Sequence, residues 1–432
     1  MKIDLVILPF LTCCVFLQIL DKNSLSYAAI YDLRKDLHLE GQQYSWFATI
    51  FYISYLLMQI PVFFLLPKIK NLTGFMSLLL TCWGILVMLL AACKNFAGFA
   101  TVRFFLGMFE AALQPCCIIV STSWYTKREQ PLRMAMWSNT FAGIFNGIFG
   151  YAFGHWNAKL HIWQYMFIVY GAVTVVFGIF TYFVIPADIE SAWFLNKEEK
   201  KIATMRIATN QTGIKFKVET LKWTQILESI RHVKYWLIVI FIIVQNFINA
   251  GITNFNTFII KGFGYSNFRT MLLATPQASV AMVVSLLAAA ATYYIKRNAC
   301  LAAIYIAGFF NTPYVLILSL LASNTSGDTK KAFASFSVGV FYALGNLIGP
   351  QFFLNYESPK YQTGIKAMLS ACVIMIFCAM LYALLCIKEN RERDRKQNDN
   401  DSGNMLTLTE IGGQVDKEDL SDVQNKYFRY VI

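Results

Sequence analysis

Long apolar runs broken by short polar stretches set the plan of this chain. A helix needs about 20 apolar residues to cross the hydrocarbon core of a bilayer. By that rule, membrane-spanning helices are predicted over 5–31, 43–66, 74–93, 96–119, 134–154 and 163–185. A polar stretch covers 187–234. Further spans are predicted over 235–259, 271–294, 299–322, 332–354 and 364–387. The remainder, 388–432, mixes KENRERDRKQNDNDSG with acidic segments and has little to bury, so a disordered cytoplasmic tail is expected. The expected organisation is a six-helix bundle over 1–186, a cytoplasmic linker over 187–234, a second bundle over 235–387, and the tail.

The basic residues orient these runs. Lys197, Lys200, Lys201, Arg206, Lys215, Lys217, Lys222, Arg231 and Lys234 fall in the linker, and Lys68, Lys70, Lys127, Arg128 and Arg133 in shorter loops. Basic loops stay on the cytoplasmic side, so the linker is placed there. The five spans after it bring a conflict. Lys296-Arg297, Lys330-Lys331 and the basic start of the tail all favour the cytoplasm, and an odd count does not satisfy them. The simplest account is 11 spans with a twelfth missing near 296–300; a hairpin that does not cross, or a frustrated topology, is the other.

Composition supports an all-α membrane protein. The 432 residues are 57% hydrophobic and 14% charged, with a mean hydropathy of +0.49. Soluble domains carry about 25% charged residues. The 37 Phe and 22 Tyr suit lipid contact and interfacial belts. A net charge of +12 would also suit nucleic acid, but its position in loops between apolar runs favours retention on one side of a membrane. The expected surroundings are a lipid bilayer, with no nucleic-acid partner. The opening run lacks a basic leader and a small-residue cleavage site, so it is read as the first span. The 10 cysteines form no disulfide framework or metal pattern, and nothing resembles a catalytic triad or a phosphate loop. Neither an enzyme nor a cofactor is expected.

Two apolar runs carry charge. LPFLTCCVFLQIL runs into Asp21-Lys22, and FAGFATVRFFLGMFEAALQP holds Arg103 and Glu110. Ions in hydrocarbon cost several kcal/mol unless they are paired or face a water-filled cavity. A chain that keeps them there is expected to move something polar across the bilayer. Arg103 and Glu110 are seven residues apart, on one helical face about two turns from each other.

LDKNSLSYAAIYDLRKDLHLEGQQYSWFATIFYISYLLMQIP resembles the first two spans of the fungal allantoate permease-like transporters, of the anion:cation symporter family in the major facilitator superfamily. RFFLGMFEAALQP with WYTKREQPLR is similar to the family's fourth span and its exit, and IPADIESAWFLNKEEK to the stretch after span six. IIKGFGYSNFRTMLLATPQ, ALGNLIGPQFF and ESPKYQTG resemble later segments. Against the superfamily pattern Gly-x-x-x-Asp-Arg-x-Gly, the loop LLPKIKNLTG has no Asp.

The resemblance implies two pseudo-symmetric helical bundles around a midplane site. It implies a symporter that takes up a small organic anion with a proton as coupling ion, working as a monomer in the plasma membrane, with the endoplasmic reticulum as the alternative location. Asp21 and Glu110 would carry the proton. Lys22 and Arg103 would hold the anion, helped by Tyr52, Tyr55, Gln245 and Asn346. Blander readings stand beside each role. Asp21-Lys22 could be a solvated turn, and Arg103 with Glu110 a structural pair. Buried amides such as Asn139, Asn146, Gln245, Asn246, Asn249 and Asn346 more often join helices than bind substrate. The missing span motivates a different function, a non-transporting sensor or degenerate paralogue.

Overall fold

A computed structural model describes residues 2–69, 71–125, 133, 136–137, 142–155, 159–208, 222–280, 283, 320–321, 324–326, 328–358, 360–400, 421–424 and 428–430. Regular structure among them is entirely helical. The first bundle contains α1 (Lys2–Ile30), α2 (Leu33–Asp36), α3 (Gln43–Leu65), α4 (Leu72–Leu90), α5 (Phe96–Glu110), α6 (Leu113–Trp124), α7 (Ala142–Gly154) and α8 (Ile162–Val184). The linker adds α9 (Lys197–Ala208) and α10 (Trp223–Arg231). The second bundle contains α11 (Val233–Gly262), α12 (Asn267–Leu273), α13 (Asp328–Ile348) and α14 (Gln362–Asn400).

Among the described residues, seven helices are long and apolar enough to cross a membrane: α1, α3, α4, α5 running on through α6, α8, α11 and α14. The expected span over 134–154 is described at 136–137 and from 142, and that over 271–294 only to 280 and at 283. Most of 299–322, the point near 296–300 where a span is expected to be missing, and Lys127, Arg128, Asn139, Lys215 and Lys217 lie outside the described residues.

Local chemistry sets the helix ends. Asn71 and Asn95 each accept the backbone N–H three residues on, from Gly74 and Gly98, at 2.8 Å, and so start α4 and α5. The expected span over 96–119 is interrupted between Glu110 and Leu113. Pro115 explains this, because its ring leaves no room for the carbonyl of Ala111 four residues earlier. Gln59 donates to that freed carbonyl at 3.4 Å.

Glycines set how closely the helices approach. A methyl group on Gly84 of α4 would stand 2.7 Å from the Val175 amide nitrogen and 2.8 Å from the Gly171 carbonyl of α8. The bundles meet where α3 lies on α13, α1 on α11, and α7 on α12. Thr257 donates to the Ser26 carbonyl at 3.0 Å, and Gln351 to Thr49 at 2.7 Å.

The expectation of disorder from 388 onward is corrected for the described part of the tail. α14 continues to Asn400, and residues 421–424 and 428–430 return to pack on the linker side of the second bundle. Asn390 brackets the Tyr430 backbone with two hydrogen bonds of 2.9 Å. Arg393 donates to the carbonyls of Phe428 and Asp422. Lys330 is paired with Glu228 at 2.7 Å and with Asp422 at 2.6 Å, and Lys234 with Glu389 at 2.7 Å. Composition misled here because a few buried side chains hold the segment, and an average over 45 mostly polar residues hides them.

Two stability outcomes follow. Gly84→Ala should cost about 1–3 kcal/mol, because the added methyl meets backbone and not a movable side chain. A thermal melt of the purified chain in detergent reads this as a lowered midpoint. Lys330→Met leaves Glu228 and Asp422 facing each other without their shared cation. Breaking a buried pair costs about 3–5 kcal/mol, and limited proteolysis should then cut the chain near 421–430 before the remainder.

Candidate functional site

Glu110 is the last residue of α5, immediately before the break that Pro115 imposes. It is 1% exposed. Gln18 of α1 donates to its Oε1 at 2.8 Å, and the Lys22 ammonium lies 3.2 Å from the same oxygen. Gln18 and Lys22 are one turn apart on α1, so one helix face presents both. Oε2 of Glu110 is buried and accepts no hydrogen bond.

Lys22 is the junction of the site. Its side chain keeps 17% of its exposure, whereas that of Glu110 keeps none. The ammonium donates to the Tyr342 hydroxyl on α13 at 3.2 Å. It lies 5.7 Å from the ring centre of Phe51, 5.5 Å from Tyr52 and 5.6 Å from Tyr342. Desolvated cation–ring contacts are worth about 2 kcal/mol. Tyr55 completes the aromatic wall, 6.0 Å from Tyr342 and 6.3 Å from Tyr52. Thus α1, α3 and α5 of the first bundle and α13 of the second converge on one ammonium.

Asp21 and Arg103 are two further buried charges of the first bundle. Asp21 is 2% and Arg103 4% exposed. Both Asp21 oxygens and Nε and Nη2 of Arg103 are buried without hydrogen bonds. The Arg103 guanidinium lies 5.8 Å from the Phe99 ring centre. The solvated-turn reading of Asp21-Lys22 therefore fails, because α1 continues to Ile30 and buries Asp21. Pairing of Arg103 with Glu110 fails too. They share a helix face, but Glu110 takes its cation from α1.

Gln245 is buried on α11. Asn346 joins an amide ladder between α11 and α13, donating to Asn246 at 3.2 Å and accepting from Asn249 at 3.0 Å. It also donates to the Tyr342 carbonyl one turn earlier, at 2.9 Å. Asn146 likewise joins helices, donating to the Leu20 carbonyl of α1 at 3.0 Å.

A model described as Major Facilitator Superfamily matches residues 11–350. The chain belongs to the major facilitator superfamily. An uncharacterized transporter of Schizosaccharomyces pombe is 33% identical to it, covering 99% of this chain and 86% of that protein. The allantoate permease of Saccharomyces cerevisiae is 29% identical, covering 100% and 86%. The high-affinity nicotinic acid transporter of Saccharomyces cerevisiae is 27% identical, covering 100% and 84%. Among solved structures, a bacterial homolog of the human lysosomal transporter Spinster matches with a TM-score of 0.64 at 15% identity, covering 88% of this chain and 96% of that one, which is a likeness of fold. This major facilitator protein is accordingly a multi-pass membrane transporter and not an enzyme.

Gln18, Phe51 and Tyr342 were not singled out in the sequence of this major facilitator chain. Two of them had a signal. Gln18 lies four residues before Lys22, and Tyr342 four before Asn346, each one helical turn from a residue already of interest. Phe51 is one Phe among 37 and had none.

The ladder gives Asn346 a structural task that needs no ligand. Asn346→Ala removes its partners from Asn246 and Asn249 and should cost about 1–3 kcal/mol. A lowered melting midpoint in the ligand-free protein is the expected reading, and an unchanged midpoint would contradict the ladder.

Proposed function

We propose that this transporter carries a small organic anion together with a proton, by alternating access between its two bundles. The observation that supports this reading is the shared use of Lys22. Its ammonium is paired with the fully buried Glu110 and stays partly open between the bundles. An arriving carboxylate is drawn to the same ammonium and competes with Glu110 for it. A buried carboxylate left without its cation costs several kcal/mol, and a proton removes that cost. Anion and proton therefore bind more readily together than either does alone, which is a positive coupling free energy between two sites.

The roles follow from position. Glu110 takes the proton, Gln18 holds its carboxyl group in place, and Lys22 binds the anion as a point charge without the fork of an arginine. Tyr52, Tyr55 and Tyr342 wall the anion's body. Asp21 and Arg103 hold two further charges in the same bundle, with Asp21 as a further proton-carrying group. Gln245 and Asn346 support this wall from α11 and α13. The names of two relatives mention allantoate and nicotinic acid, both carboxylic acids, and this agrees with an anion at Lys22. The plasma membrane is the proposed location and a monomer the proposed working unit.

The test is uptake of a panel of labelled organic anions by cells expressing the chain, at mildly acid and at neutral external pH. Uptake of at least one carboxylate should rise in acid. Glu110→Gln should abolish that rise, and Lys22→Met should lower uptake by about 10-fold or more, since a hydrogen bond to a charged group contributes about 1.5–3 kcal/mol. Uptake that ignores external pH in the parent chain would refute proton coupling.

A further inference from the structure

The linker helix α10 is inverted relative to a helix on the surface of a soluble domain. Its polar residues Gln225 and Ser229 are buried. Its large apolar residues Trp223, Leu227 and Ile230 are 73%, 49% and 40% exposed. They follow at spacings of four and three, so they form one stripe along one face. The underside is bound to the protein. Gln225 accepts from the Lys330 backbone N–H at 3.1 Å, and Glu228 is paired with the Lys330 ammonium at 2.7 Å and accepts from Ser421 at 3.0 Å. These contacts fix which face points outward.

The outward stripe continues onto a surface that must already meet lipid. Immediately after α10, the membrane-length helix α11 exposes Val233, Trp236 and Ile240. The Trp236 indole donates to the Ile230 carbonyl at 2.7 Å, which ties the end of α10 to the first turns of α11. Lys222 and Arg231, both exposed, stand at the two ends of the stripe. Tryptophans and basic residues flanking an apolar stripe suit the boundary between headgroups and acyl chains. A protein partner fits less well. A stable interface buries about 800 Å² on each side, and a nine-residue helix is only about 14 Å long.

We propose that α10 lies flat in the headgroup–acyl boundary of the cytoplasmic leaflet, with Trp223, Leu227 and Ile230 immersed in lipid and Gln225, Glu228 and Ser229 turned to the protein. The helix then anchors the linker at a set depth and links the leaflet to the packed chain end at Ser421 through Glu228.

The experiment uses the full chain and its Trp223→Phe variant, each reconstituted into phosphatidylcholine–phosphatidylglycerol vesicles. The difference between their emission spectra isolates Trp223. Vesicles made with lipid brominated near the headgroup should remove that difference, while aqueous iodide on the exposed side should leave most of it. Phenylalanine keeps the stripe apolar, so the variant should reconstitute like the parent, and a Leu227→Trp chain lacking Trp223 supplies a second reporter on the same face. Quenching by iodide and not by brominated lipid would overturn the proposal in favour of a solvated helix. Quenching by neither would overturn it in favour of a helix covered by protein.

Discussion

A single ion pair, Lys22 with Glu110, governs the arrangement around it. In water such a pair contributes little. In a bilayer interior neither ion is tolerated alone, so the pair constrains every element that approaches it. The carboxylate is enclosed on all sides and the ammonium is not. Gln18, three aromatic rings and a hydroxyl from the other bundle are arranged around the two charges. Asp21 and Arg103 add two further buried charges, with both Asp21 oxygens and Nε and Nη2 of Arg103 left without hydrogen bonds.

Backbone detail delivers Glu110 to that position. Pro115 ends the regular ladder of α5 at the residue that carries the carboxylate, and Gln59 of α3 takes up the carbonyl that the proline displaces. Close approach of α3 to α5 needs Gly107, where a side chain would collide with Ser54 and the Phe51 carbonyl. Gln59, Ser54 and Phe51, which set where α5 lies, therefore share α3 with Tyr52 and so with two of the three rings around Lys22. Helix packing and site geometry are here one problem.

Much of the architecture was legible in the sequence, because a membrane helix is announced by length and hydropathy without any need for periodicity. The buried charges were legible for the same reason, since four ionisable groups inside apolar runs stand out. Their pairing was not. Spacing placed Arg103 and Glu110 on one helix face, two turns apart, but the cation that Glu110 meets is Lys22 of α1, and sequence spacing does not report contacts between helices. Asn346 was legible as a polar residue in a span, though its amide partners across α11 and α13 were not. The packed chain end failed for a different reason. Tyr430, Asp422 and Arg393 look like any polar tail until Lys330, Lys234 and Asn390 are placed beside them.

The neutrality of the Lys22–Glu110 pair has a consequence for energetics across the membrane. Empty, the pair carries no net charge. In the cycle proposed above, an anion that arrives with one proton leaves the sum at zero again. Moving a charge through the membrane field is worth about 2.3 kcal/mol for each 100 mV, and neither crossing of this site moves one. A carrier that loads its one proton at this pair would thus be driven by the difference in pH and by the anion's own gradient and be indifferent to voltage, whereas a second proton taken up at Asp21 would add one charge to each crossing.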